Sequence, residues 1–232
     1  MRSLILALAT SLCCSSTGAT IINGDFSAGN TGFMSEYVYA PGGNGTEGEF
    51  TVRSDPQNWN QAFAPMPDHT SGDGQMLVVN GATAGNPYVW QQTVGVLPAT
   101  EYSFSAWVAS AYPDGPADLI VQINGSTLGS SFTLPMLPGS WENFARVWSS
   151  AGNTTAELRI VNTNLSVFPN DFYIDDIAFV AVPEPGMLAM LSGLAASVAV
   201  VQLCSKLKRL HRTADCPDLG SALIVDSGIA SR

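Results

Sequence analysis

Few side chains between Thr20 and Val182 are of types that do chemistry. His69 is the only histidine in that stretch, which has no Cys and no Lys. A nucleophile–His–carboxylate arrangement would have to use His69, and no Gly-x-Ser-x-Gly turn accompanies it. No Cys/His spacing of a zinc site occurs. Asp175 and Asp176 are neighbours in a run that reads as a strand, so alternation should send their carboxylates to opposite faces. A hydrolytic pair is therefore not expected from them. Asp68, His69, Thr70, Ser71 and Asp73 cluster beside Gly72 and Gly74. The spacing is not that of an EF-hand; an Asx-rich turn is the first reading, with a cation or sugar contact as the functional alternative. Aromatic rings are flat and can stack on the apolar C–H faces of sugars. Trp59 in Asn58-Trp59-Asn60, Tyr112 in Tyr112-Pro113-Asp114, and Trp107, which shares a strand face with serines, are the candidate sugar platforms. Trp90, Trp141 and Trp148 lie in β-type runs and are expected to pack a core.

The elements that must position these groups are short β-type runs separated by Gly, Pro, Asn and Asp. Expected strands cover 36–40, 50–54, 76–80, 88–94, 101–109, 119–124, 141–149, 156–162 and 172–180. Their spacing, with turn signals between them, predicts an all-β sandwich. Asn124-Gly125 between apolar runs predicts a two-residue hairpin turn, since both residue types adopt positive φ. In 101–109, Tyr102, Phe104, Ala106 and Val108 share the face expected to be core.

The flanks carry addressing signals. Residues 1–19 combine Arg2, an apolar run from Leu4 to Leu12 and small residues up to Ala19, the layout of a secretory signal peptide. The β-rich region spans 20–181. After it come Val182, Pro183, Glu184 and Pro185, then an uncharged stretch over 186–203, then Lys206, Lys208, Arg209 and Arg212. Eighteen residues in a helix reach roughly 27 Å, enough to cross hydrocarbon. The cationic cluster after it would stay in the cytoplasm, leaving the β-rich region outside. A further tail covers 213–232. The formal net charge is -10, with Arg53, Arg146 and Arg159 the only basic residues between Thr20 and Val182. A chain so acidic repels phosphate backbones, which excludes nucleic acid as an expected partner. The four cysteines, Cys13, Cys14, Cys204 and Cys216, lie outside the β-rich region, so no disulfide framework is expected there.

Signal peptide, Val182–Pro185 motif, apolar helix and basic cluster, in that order, resemble the PEP-CTERM sorting signal over 182–212. That resemblance implies an exosortase as partner, export across the inner membrane, transient anchoring by the 186–203 helix, and then a cell-surface or extracellular place, often beside extracellular polysaccharide. The β-rich region is similar to galactose-binding-like jelly rolls and carbohydrate-binding modules. The residues carrying that similarity are Asn23-Gly24-Asp25-Phe26, the 68–74 loop, Phe104-Ser105-Ala106-Trp107 and Asn170 to Ile177. In similar jelly rolls, oxygens near the first and last strands share a structural calcium. The resemblance transfers that role to Asp175, with Asp25 as partner. The resulting expectation is a non-enzymatic exported surface or matrix protein. The alternatives are a calcium-stabilised carbohydrate-binding module and a polysaccharide-acting hydrolase.

Overall fold

The computed structural model describes residues 19–43, 46–114 and 116–183. The expected signal peptide up to residue 18, Glu184, Pro185, the 186–203 helix, the basic cluster and the 213–232 tail lie outside the described residues. Eleven strands form: β1 (Val38–Tyr39), β2 (Glu49–Arg53), β3 (Met76–Asn80), β4 (Tyr88–Gly95), β5 (Glu101–Ser110), β6 (Asp118–Ile123), β7 (Ser126–Thr127), β8 (Phe132–Thr133), β9 (Glu142–Ser149), β10 (Thr155–Asn162) and β11 (Phe172–Ala181). The larger sheet has the order β1-β2-β3-β11-β5-β9, and the smaller one β4-β10-β6-β7, with β8 paired to β6. From β3 to β6 the chain alternates between the sheets at every strand, and β9, β10 and β11 alternate again. The result is the expected all-β jelly-roll sandwich, since each crossing buries one face of the strand it delivers against the opposite sheet.

Alternation decides which side chains fill the space between the sheets. Tyr102, Phe104, Ala106 and Val108 are all fully buried, as their period-2 pattern requires. From the smaller sheet, Leu119, Val121, Leu158 and Ile160 meet them, while Phe172, Ile174 and Phe179 come from β11. The register across β10 sets Leu158 opposite Ile123 and Ile160 opposite Val121, so whole rows turn inward together. Asn124 and Gly125 have φ of 50° and 76° and close the β6–β7 hairpin as two central residues.

Two departures from the expected elements have clear causes. The run at 36–40 pairs only through Val38 and Tyr39, in parallel with β2, so it is a short edge strand. The segment between β2 and β3, read as an open polar loop, instead forms a second core on the outer face of the larger sheet. Trp59, Phe63 and Met66 pack there against Met76, Val78, Ala109 and Tyr173. Each such buried side chain contributes roughly 1.5–3 kcal/mol. Three apolar residues set among Asn, Gln and Pro gave no periodic signal.

Candidate functional site

The covering segment ends in the 68–74 loop, and that loop is a self-contained turn. The Asp68 carboxylate accepts N–H bonds from Ser71 at 2.8 Å and Gly74 at 2.7 Å. Burial pushes its pKa up, but these donors outweigh that and hold it below the usual value. The Asx-turn reading of the cluster is therefore what the geometry shows. The loop is fastened to β11 by Asp175, which is fully buried. Its Oδ2 accepts the backbone N–H groups of His69 at 2.8 Å and Thr70 at 3.2 Å, and its Oδ1 accepts that of Asp176 at 2.8 Å. Burial raises the Asp175 pKa to about 6 against these donors, with the neighbouring Asp176 charge adding to the rise.

The expectation that Asp175 and Asp176 point to opposite faces is corrected. Pairing of β11 with β5 shifts between Asp175 and Ala178, and Asp176 has a φ of 47°. A bulge of this kind breaks the two-residue alternation, and Asp tolerates the left-handed region better than most residues. Both carboxylates therefore converge on His69 and Thr70. The His69 Nδ1 lies 2.6 Å from Asp176 Oδ2, and Thr70 Oγ1 donates to Asp176 Oδ1 at 2.7 Å. The pair still makes a poor hydrolytic couple, because Asp175 is out of reach of any substrate and saturated with backbone donors.

Asp175, the other half of the expected calcium pair, is engaged by the 68–74 loop, and Asp25 lies on the neighbouring stretch of surface. Asp25 lines an open hollow of about 370 Å³ with Asn23, Gly24, Asp176 and Ile177. Calcium wants six to eight oxygen ligands. The Asp175 oxygens face N–H donors, and Asp25 Oδ1 accepts from Ser27 Oγ at 3.0 Å. Among the described residues no group of three or more His, Cys, Asp or Glu is arranged to hold a metal. The calcium that the resemblance implied would have to displace these donors. The Asn23-Gly24-Asp25-Phe26 motif has a structural account instead. Asn23 Nδ2 donates to the carbonyls of Gly29 and Thr31, each at 2.8 Å, and Phe26 is a fully buried plug. Gly24 sits so close against the Ile177 carbonyl that any Cβ would collide with it.

The three sugar platforms are distributed differently from expectation. Trp59 is only 5% exposed and its indole N–H donates to the Ala40 carbonyl at 2.6 Å, so it is core of the covering segment and offers no ring face. Trp107 is half-buried, and one face of its ring is taken by His69, stacked at 3.9 Å and 17°. Tyr112 is half-buried and meets Phe168 edge-on at 4.7 Å.

The smaller sheet carries what the sequence reading missed. On β10, Ala156, Leu158 and Ile160 turn inward, so Glu157 and Arg159 turn outward. Arg159 lies directly across from Gln91 on β4 and Gln122 on β6. Its Nε donates to Gln91 Oε1 at 2.8 Å, its Nη2 is 3.0 Å from Glu157 Oε1, and its guanidinium lies 4.8 Å above the Tyr88 ring. A planar guanidinium is thus fixed by an amide, a carboxylate and an aromatic face on a half-buried sheet surface. The signal was present in the alternation of Thr155, Glu157 and Arg159 with Ala156, Leu158 and Ile160. Each alone reads as an ordinary solvated strand position.

No protein-family model matches the chain, and no curated protein matches it. Solved structures do. A Stig cyclase from Fischerella sp. TAU, in complex with (3Z)-3-(1-methyl-2-pyrrolidinylidene)-3H-indole, superposes with a TM-score of 0.54 at 11% identity, covering 72% of this chain and 98% of the cyclase. The CBM22-1 xylan-binding domain from Paenibacillus barcinonensis Xyn10C gives 0.48 at 15% identity, covering 71% of this chain and 96% of that domain. A family 16 carbohydrate-binding module gives 0.42 at 22% identity over 69% of this chain and 98% of the module. The likeness to the cyclase shows the fold: the described residues form a two-sheet β-sandwich domain of a kind on which a cyclase has been built, and carbohydrate-binding modules stand among its structural neighbours.

Proposed function

We propose that the chain is an exported, non-catalytic glycan-binding protein, and that the outer face of the smaller sheet is its binding surface. The observation that carries this is the Arg159 network. Adjacent sugar hydroxyls are held best by planar groups that present two donors or two acceptors in a fixed plane, and by aromatic surface beside them. Arg159, Glu157, Gln122 and Tyr88 supply such groups on one sheet face, with Arg159 held in place by buried Gln91 before any ligand arrives. Holding it costs the ligand little ordering entropy. Glu157 balances the Arg159 charge, so the surface fits neutral glycans better than strongly anionic ones. Sequence features support the address: the 1–19 signal, the Val182–Pro185 motif, the 186–203 stretch and the basic cluster. In this reading an exosortase cuts near Pro183–Pro185 and leaves the β-sandwich at the cell surface or beside extracellular polysaccharide.

Glycan-array and affinity-electrophoresis measurements on the full-length chain and on Arg159→Ala test the site. Wild type is expected to be retarded by at least one neutral polysaccharide, with a tenfold or greater loss in the variant. Equal retardation of both proteins, or none of wild type, overturns the reading. Intact mass of the protein recovered from its native host tests the sorting. A C-terminus near Pro185 is expected, and a mass that still includes Arg232 overturns it.

A further inference from the structure

The outer face of the smaller sheet is banded, and the bands run across the strands. Side chains on this face come from alternate residues, and pairing sets them in rows. One row is polar: Gln91 on β4 is level with Arg159 on β10, Arg159 with Gln122 on β6, and Gln122 with Thr127 on β7. Buried Gln91 anchors Arg159, so the groups this row offers a ligand are Arg159, Gln122 and Thr127. The next row is apolar: Tyr88 on β4, Val161 on β10 and Ile120 on β6. A bulge between Ile160 and Val161 sets Tyr88 level with Val161 in place of Val89, which puts the ring beneath the Arg159 guanidinium into that row. Along a strand the chemistry changes instead at each outward position. On β10 it passes from the hydroxyl of Thr155 to the carboxylate of Glu157, the guanidinium of Arg159 and the alkyl group of Val161. A polymer of identical rings meets a repeating surface only by lying across the strands.

We propose that the ligand of this face is an extended, neutral, β-linked pyranose chain lying across the strands, with about one ring over each strand and about four rings in contact. The inference rests on the Arg159 face being the glycan site, and adds the shape and direction of the glycan. Strands stand about 4.8 Å apart, close to the advance of one ring along a fully extended β-linked chain, so successive rings meet the same two bands. Such a chain carries apolar C–H faces and hydroxyl edges along its whole length. The row of Tyr88, Val161 and Ile120 receives the faces, and the row of Arg159, Gln122 and Thr127 the hydroxyls. An α-linked chain coils and falls out of step with the strands. Charge selects a neutral polymer. Arg159 is balanced by Glu157, while Asp118 lies on the same face of β6 and the Glu36 carboxylate accepts the Tyr88 N–H at 3.1 Å beside β4. A chain of uronic acids would meet more negative than positive charge here.

Isothermal titration calorimetry of the full-length chain with cello-, manno- and xylo-oligosaccharides of two to six rings tests this, with malto-oligosaccharides as the coiled counterpart. In at least one extended series affinity is expected to rise at least tenfold from two rings to four and then level off. The malto-oligosaccharides are expected to bind at least tenfold more weakly. Gln122→Ala and Thr127→Ala should each weaken the four-ring sugar at least threefold without moving the melting temperature, while Thr155→Ala, further along β10, changes nothing. Affinity that does not grow with chain length overturns the proposal, as does equal binding of the coiled series. A loss with Thr155→Ala and none with Gln122→Ala or Thr127→Ala also overturns it, and lays the chain along the strands. If polysaccharide retardation depends on Arg159 yet no extended series binds, the proposed chain is wrong and the site stands. If binding is indifferent to Arg159→Ala, the reading of the face itself falls.

Discussion

The outer faces of the two sheets are treated in opposite ways. That of the larger sheet is roofed by the segment between β2 and β3, where Trp59, Phe63 and Met66 form a second core and buried Asp175 fastens the last loop. That of the smaller sheet has no such roof among the described residues, and its centre is a polar network around half-buried Arg159. Both faces hold aromatics and carboxylates, so composition does not separate them. What separates them is where their central charged groups spend their hydrogen bonds: Asp175 on backbone N–H donors under the roof, Arg159 on the side chains of buried Gln91 and half-buried Glu157. A carboxylate satisfied by its own backbone is structural, while a planar side-chain network at a surface is still able to exchange partners with a ligand.

This contrast can be broken by removing one residue at a time. Trp59→Ala should have the largest effect, destabilising the protein by about 3–5 kcal/mol because it leaves a cavity in the second core. Thermal or denaturant unfolding checks it, and glycan retardation below the transition should be unchanged. A loss of retardation with intact stability would return Trp59 to the role of sugar platform.

Asp175→Ala should cost about 1–3 kcal/mol, since three backbone N–H groups lose their acceptor in a dry place. Hydrogen exchange should show faster exchange at His69 and Thr70 first. If exchange instead accelerates along β10, the roof is not an independent unit and the contrast between the faces fails.

Acidity separates the faces more gently. Burial raises both Asp175 and Asp171 from the usual 3.8 to about 6. The folded state therefore holds their protons more tightly than the unfolded chain does. The stabilisation is fully present below pH 3.8 and is lost as pH rises through about 6. Asp68 works the other way: its pKa is held low, so its contribution is present above the usual 3.8 and is lost as pH falls from there through its lower folded value. Unfolding free energy should then rise by roughly 1–3 kcal/mol from pH 7 to about pH 4.5. A melting temperature that falls steadily over that interval contradicts the assignment.

Arg159→Ala should be the smallest perturbation of the fold, below about 1 kcal/mol, since its ion pair is partly solvated. It should nonetheless be the change that removes glycan binding. A large loss of stability on this substitution would make the Arg159 network another structural fastening and erase the difference between the two faces.

Much of the framework was legible in the chain because it depends on local period. The alternation at Tyr102, Phe104, Ala106 and Val108 fixed their burial, and Asn124-Gly125 announced its turn, because side-chain parity and positive φ are properties of adjacent residues. The two-residue strands β7 and β8 escaped, being too short to show a period. Trp59 was misplaced because its neighbours are polar: whether a ring in such a loop is dry depends on a sheet contributed by residues far along the chain.

By itself, the order of residues determined an all-β sandwich, its inward rows, the acidic character of the surface and the expected export signals, since these follow from periodicity, composition and hydropathy. Only the tertiary structure decided that Asp175 and Asp176 converge on one loop, that Arg159 joins Gln91 across 68 positions, and that a polar and an apolar row run side by side across the smaller sheet. Each of those depends on strand register or on a bulge that resets alternation, and pairing between distant segments leaves no trace in the local spacing of side chains.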